Sequence, residues 1–261
     1  MIKNWYWSKK SIFSPVKDKR IEFILIQDNK DTVNLEVKRN IDVIPDWYKK
    51  MPSKFIYKGV DDLSLKKCVP FLDAISSGYS LVTTEDVFFK KNENGTFEFS
   101  GHNLPTALDG NFGITSHPID QLSGMPIGKE YLEYAFKWMS PWLIKTPKKY
   151  SVLFFHPLNM NHLPFQSLSG FVDTDKFPLT VQFPFLMKNN FEGKIPAGTP
   201  IIQIIPIKRE KWIFKIFKNP SHKYIHNAKN VTNEYLEGQQ QNGIPVGGTY
   251  KKKYREKKDY L

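Results

Sequence analysis

The stretch from Lys145 to Trp212 reads KTPKKYSVLFFHPLNMNHLPFQSLSGFVDTDKFPLTVQFPFLMKNNFEGKIPAGTPIIQIIPIKREKW. Short apolar runs alternate in it with turn residues. KYSVLFFHP predicts a strand buried on both faces, because its apolar run is nearly continuous. HPLNMNHLPF reads as a polar loop, and SLSGFVDTD brings a glycine, an apolar pair and two acids into a turn. LTVQFPFLM predicts a further strand, in which Pro184 points to a sheet edge or a bulge. After the turn KNN, FEGKIPAGTPIIQIIPI leads through a glycine turn into a buried strand. Strands at roughly ten-residue spacing predict a mainly β core of the sandwich, jelly-roll or barrel kind.

Upstream of this core, YLEYAFKW alternates like a strand, yet Tyr131, Leu132, Ala135, Phe136 and Met139 also recur at helical spacing. Pattern leaves both readings open, and Pro141 ends either one. Residues 101–128 are rich in Gly, Pro, Asn and Ser, as expected of a functional loop or an extended surface wrap. Their His102 and His117 lack an Asp, Glu or Cys at ligand spacing. Further back, Pro70 opens a helix that Gly78 ends in the left-handed conformation. Tyr79 to Lys90 then reads as a strand, turned by Asn92–Gly95 into TFEFS. In IPDWYKKMP, Pro45 and Pro52 bracket a short helix that offers Trp47 as a packing anchor. RIEFILIQ at 20–27 predicts a strand, and NLEVKRN at 34–40 is its expected partner.

Downstream, IFKIFKNPSHKYIHNAKNVTNEYLEGQQQNG interleaves aromatic residues with lysines, and Thr232-Asn233-Glu234 is the expected helix start. Such an extension either reaches a neighbouring subunit or packs back on its own domain. Lys251, Lys252, Lys253, Arg255, Lys257 and Lys258 face only Glu256 and Asp259 in the tail. A solvated charged segment is one reading of that tail, and non-specific contact with nucleic acid or another anionic surface is the other. The expected organisation is an α+β elaboration over 1–128, a β-sandwich core over 129–215 and a basic, partly helical extension over 216–261.

Composition bounds the classes open to the chain. Its 261 residues are 40% hydrophobic and 15% aromatic, enough to bury a core. No apolar run approaches the length of a membrane-spanning helix, so no membrane partner is expected. MIKNWYWSKKSIF has neither an apolar core nor a small-residue cleavage site, so no secretory signal is expected. One cysteine, Cys68, excludes an internal disulfide, and between Lys67 and Val69 it reads as a small buried hydrophobe. The net charge of +12 favours acidic partners. Walker, nucleophile-elbow and Cys-x-x-Cys motifs are lacking.

Asp173 and Asp175 are the strongest candidates for chemistry. In an extended segment both carboxylates share one face, where they could hold Mg²⁺ through water or orient an attacking water. The competing reading has them capping a turn through bonds to backbone. His156, Asn159 and His162 form the next set. With Asp173, the two histidines could make the two-histidine, one-carboxylate site of iron oxygenases on jelly-roll scaffolds. Loop hydrogen bonding is the alternative. No resident cofactor is expected; Mg or Fe belongs to the catalytic alternative.

Gly170-Phe171-Val172-Asp173-Thr174-Asp175, then Ile195-Pro196-Ala197-Gly198 and Ile201-Ile202-Gln203-Ile204-Ile205, resemble the closing half of the trimeric dUTPase family. The resemblance implies a distorted jelly roll of the dUTPase-like, β-clip type and a trimer, with Gln203 on the closing strand beside the binding site. The family's catalytic signature is not retained. Lys176 stands where its tyrosine belongs, and Phe177-Pro178-Leu179 replaces its Arg-Gly-Glu. HPLNMNHL replaces its phosphate loop, and GIPVGGTY lacks the arginine and phenylalanine of its closing tail. Residues 44–212 also carry WYKKMP, CVPFLDAISSGY, KKYSVLFFHPLN, LPFQSLSGFVDTD and GTPIIQIIP. These sets resemble a family of uncharacterised proteins of tailed phages and some bacteria.

Together these readings favour a non-catalytic phage-type β-sandwich protein, structural or accessory to the virion, acting through oligomer and loop contacts. Its expected partners are itself or other virion proteins, in the virion or the host cytoplasm. The alternative is an enzyme on the same scaffold, either a pyrophosphohydrolase of dUTP-like nucleotides or a cupin-type iron enzyme.

Overall fold

A computed structural model describes residues 19–26, 35–93, 96–100, 105–106, 110–111, 113–117, 119–242 and 250–256. His102, Lys257, Lys258 and nearly all of GIPVGGTY lie outside them. The described residues are mainly β. In chain order the strands are β1 (Glu22–Leu25), β2 (Leu35–Arg39), β3 (Lys54–Tyr57), β4 (Val60–Leu63), β5 (Tyr79–Thr83), β6 (Val87–Lys91), β7 (Phe97–Ser100), β8 (Pro105–Thr106) and β9 (Gly110–Asn111). They continue with β10 (Ile114–Ser116), β11 (Tyr131–Trp138), β12 (Trp142–Lys145), β13 (Tyr150–Phe155), β14 (Phe165–Ser167), β15 (Gly170–Val172), β16 (Phe183–Lys188), β17 (Gly193–Ile195) and β18 (Pro200–Lys208). The α-helices are α1 (Asp46–Lys50), α2 (Val69–Ser76) and α3 (His222–Asn242).

Contacts divide the described residues into two compact units, one within 19–43 and 77–209 and the other within 44–76 and 210–256. These divisions fall at 43/44, 76/77 and 209/210 rather than at 128/129 and 215/216.

The first unit holds a five-stranded sheet in the order β15-β13-β18-β5-β2 and a four-stranded sheet, β10-β11-β16-β14. Every pairing is antiparallel. Val152, Phe154, Leu81, Ile202 and Ile204 from the first sheet join Trp138, Phe165, Phe183 and Phe185 from the second in one buried apolar cluster. Phe154 and Phe183 meet across it at 5.2 Å between ring centroids. Two antiparallel sheets sharing an apolar interior are consistent with a β-sandwich. A smaller sheet, β17-β6-β7, contributes Ile195, Val87 and Phe89 to the same cluster.

Several sequence readings are corrected. YLEYAFKW is strand β11, because β10 and β16 pair with it on either side. RIEFILIQ contains β1, but β1 pairs with β12 and β2 pairs with β5. Tyr79 to Lys90 is not one strand; it breaks after Thr83 into β5 and β6. Pro184 lies in an interior strand rather than at an edge. It is tolerated there because its carbonyl faces Leu168, just past the end of β14. N–H and C=O of one residue point to the same side of an antiparallel ladder, so the missing donor falls where pairing has ceased.

In the second unit, α1 follows Pro45 as expected. Its buried aromatic is Tyr48, whose hydroxyl donates to the Lys66 carbonyl at 2.9 Å, while Trp47 is only partly buried. Tyr48 also stacks on Phe71 of α2. Helix α3 begins well before Thr232. The Tyr224 N–H reaches the Ser221 carbonyl, and Thr232 lies mid-helix with its hydroxyl donating to the Ala228 carbonyl. None of the described helices is long and apolar enough to cross a membrane.

Candidate functional site

The acidic corner is assembled by register. β13 and β18 pair Tyr150 with Lys208, which carries Arg209 past the end of the ladder beside Ser151. β15 pairs with the other edge of β13, so Asp173 and Asp175 follow at the same end of the sheet. Arg209 Nη1 donates to Asp173 Oδ1 at 3.0 Å and to Asp175 Oδ1 at 2.9 Å, and its Nη2 donates to Asp175 Oδ2 at 2.5 Å. Ser151 Oγ donates to Asp173 Oδ1 at 2.7 Å. Asp175 also accepts the Lys149 N–H at 2.9 Å, and the Lys149 carbonyl accepts the Arg209 N–H at 2.7 Å.

These bonds hold Lys149 at φ 72, a conformation uncommon for a residue with a side chain. The two acids are unequal. The Asp175 side chain is 2% exposed and the Asp173 side chain 55% exposed. The turn is closed by backbone, with the Lys176 and Phe177 N–H groups both donating to the Asp173 carbonyl. Below it, the hydroxyls of Thr146 and Thr174 are bonded at 2.7 Å.

The Ser151 hydroxyl and then the Arg209 guanidinium hold the Asp173 carboxyl below the usual carboxylate range. Burial pushes the Asp175 carboxyl up, but the bonds from Arg209 and from the Lys149 N–H outweigh it, leaving that group lowered too. An unfolded chain therefore takes up these protons first as the pH falls. The stabilisation is complete above the ordinary carboxylate pKa of about 3.9 and is lost as the pH drops through the lower folded values. Arg209→Met is expected to cost about 1 kcal/mol at neutral pH through the Asp175 pair, discounted because Arg209 is one-third exposed. Thermal melts read this as about 2–4 °C. The gap from wild type should narrow progressively as the pH falls below about 3.9; a gap that stays constant would assign Arg209 to packing alone.

The histidine loop occupies the other end of β13. His156 is buried; its Nδ1 accepts the Ser167 N–H at 3.2 Å, and its Nε2 lies 3.3 Å from the Met160 carbonyl. That pattern selects the neutral ring protonated on Nε2, and burial lowers its pKa accordingly. Gln203 is 1% exposed. Its Oε1 accepts the Leu158 N–H at 2.9 Å, and its Nε2 donates to the Ser77 carbonyl at 2.8 Å. Asn159 takes the left-handed conformation at φ 62 and His162 is exposed. Loop hydrogen bonding is thus what His156 and Gln203 do here.

From Ser151 to His156 the extended chain spans about 16 Å, which separates the Asp173 corner from the histidines. The two-histidine, one-carboxylate set is not brought together. Among the described residues no group of three or more His, Cys, Asp or Glu is placed to hold a metal ion. At the acidic corner, Arg209 supplies the positive charge that Mg²⁺ would bring.

The basic tail is partly committed. Arg255 Nη2 donates to Asp73 Oδ1 of α2 at 2.6 Å, and Lys253 Nζ lies 2.6 Å from Glu234 of α3. Lys251 and Lys252 are exposed.

Sequence pattern does not single out Arg209, Ser151 or Lys149. The available signal was the lone arginine directly after the closing strand, opposite an acid pair. The chain matches no family model, no curated protein and no solved structure.

Proposed function

We propose that the chain is a non-catalytic assembly protein whose β-sandwich serves as a scaffold, and whose second unit makes the contacts that build an oligomer. The observation that carries this reading is the segment after β18. Trp212, Ile213, Phe214, Ile216 and Phe217 are between 67% and 87% exposed, in a stretch that belongs to no helix or strand. An uncovered apolar run of this kind marks an interaction surface on a folded protein. The β3–β4 hairpin of the same unit adds exposed Phe55, Ile56 and Tyr57.

The acid pair supports the same reading, because both carboxylates are engaged by Arg209 as an architectural clamp. The finer fold is a dUTPase-like, β-clip jelly roll. In support, the Gly170–Asp175 run begins with β15, the Ile195–Gly198 turn leaves the end of β17 and Gln203 lies on β18. The residue sets similar to those of tailed-phage proteins support a virion or infected-cell setting.

Light scattering on the full chain tests the assembly. The wild type is expected as an oligomer, and the triple variant Trp212→Ser, Phe214→Ser, Phe217→Ser as a monomer with unchanged circular dichroism. A monomeric wild type at micromolar concentration would overturn the reading.

A further inference from the structure

The first unit carries a groove of about 500 Å³ of mixed lining, in which the side chains of Phe97, Phe99, Ile114, Tyr134 and Phe136 stand beside Ser116 and two threonines. Its rings form a connected set. Phe97 lies 5.5 Å from Tyr134 and 5.8 Å from Phe136, and Phe99 lies 5.0 Å from Phe136. Two features set it apart from an ordinary surface dimple. One wall is β7 and another is β10, and each is the outermost strand of its own sheet, with one partner strand among the described residues. The groove is therefore flanked by backbone N–H and C=O groups that can accept an added strand. β7 also alternates half-buried Phe97 and Phe99 with exposed Glu98 and Ser100, the pattern of a strand open on one side.

The same chain carries a segment outside any helix or strand that pairs with no strand among the described residues. In Lys211–Phe217, alternation puts Trp212, Phe214 and Ile216 on one face and Lys211, Ile213, Lys215 and Phe217 on the other. One face is fully apolar and the other mixed, as a strand needs when it lays one side on an apolar floor and keeps lysines in water. All five apolar side chains are exposed in their own chain.

We propose that residues 211–217 of one copy dock as an added strand in the groove between β7 and β10 of a second copy, with Trp212, Phe214 and Ile216 against the aromatic floor. This rests on the assembly reading above and names the site through which assembly runs. Backbone bonds to the two edges supply affinity, and the alternate aromatic side chains supply register.

Mixing two singly substituted populations tests it, in full chains carrying Cys68→Ser. One population carries Ser116→Cys, or Thr96→Cys as a second groove position should the first fail to fold. The other carries Trp212→Cys, Phe214→Cys or Ile216→Cys. Mild oxidation is expected to link the two populations at one or more arm positions, on the order of a hundred-fold above a control cysteine at exposed Lys176, given millimolar effective concentration in a docked pair. Light scattering on the same samples separates the failures. An oligomer without cross-links overturns the groove assignment and leaves assembly standing. A monomer without cross-links overturns both. Links formed only within one chain, seen in a double variant but never between mixed populations, overturn the second copy as occupant.

Discussion

Gly78→Ala is expected to destabilise the protein by about 3–5 kcal/mol, lowering the melting temperature by on the order of 10 °C. Two penalties coincide at this residue. Its φ of +71 lies where side chains are rarely accommodated, and a Cβ there would stand 2.3 Å from the Ile204 carbonyl oxygen and 2.9 Å from the Ile205 side chain. The carbonyl belongs to the paired strand β18, so it cannot step aside without opening the β18–β5 ladder. Neighbouring bonds remove any remaining slack. The Asn40 N–H donates to the Gly78 carbonyl at 3.0 Å, Asn40 Nδ2 donates to the Ser77 carbonyl at 2.6 Å, and Ser80 Oγ donates to Asn40 Oδ1 at 2.6 Å. Gly198→Ala is the control. Its φ is +80 but nothing lies within 4 Å of the added carbon, so it should lose only about 1 kcal/mol. Equal losses in the two variants, measured by thermal or urea unfolding, would show that conformation alone matters at Gly78.

Gly78 is legible in the sequence alone, because a proline-opened helix followed by Ser-Ser-Gly-Tyr announces a left-handed stop. Of the strands in residues 145–212, β13, β16 and β18 are legible for a similar reason, since their apolar runs meet Pro, Gly or Asn, whereas β14, β15 and β17 are three-residue strands inside stretches that read as a polar loop and as glycine turns. What the sequence could not convey was pairing. β1 meets β12 across more than a hundred residues, and no local pattern encodes that choice. YLEYAFKW satisfied two periodicities, and only the ladders of β10 and β16 decide between them. The start of α3 is hidden in the sequence for a different reason. Asn219-Pro220-Ser221 held the stop-and-start signal, but the Thr-Asn-Glu further on imitates a cap. The site split along the same line. Asp173 and Asp175 stood out as residues, whereas their partner Arg209 reads as one more charge in a basic run until β13–β18 register sets it beside Ser151. Gln203 was noticed through resemblance as a binding residue, and its observed partners are both backbone groups.

Those partners make Gln203 the site of the other large effect. Gln203→Leu keeps the volume but leaves the Leu158 N–H without its acceptor and removes one of two donors to the Ser77 carbonyl, at an expected cost of about 2–3 kcal/mol. Gln203→Glu should cost more at neutral pH. A glutamate can still accept from Leu158, but as an anion it faces the Ser77 carbonyl with no proton to donate, inside a site that is 1% exposed. Burial and that carbonyl would raise the carboxyl's pKa above its unfolded value of about 4.3. The protonated acid restores a donor, so the variant should be least impaired below that pH and lose stability as the pH rises through the higher folded value. The wild-type amide has no such titration. Melting Gln203→Glu and Gln203→Leu side by side at about pH 4.5 and about pH 7.5 checks the sign, because only the Glu variant should fall further behind wild type as the pH rises. If the Glu and Leu variants kept the same offset at both pH values, the side chain at 203 would be reaching water, and the brace between the His156–Leu163 loop and the Ser77 carbonyl would have to be formed by other groups.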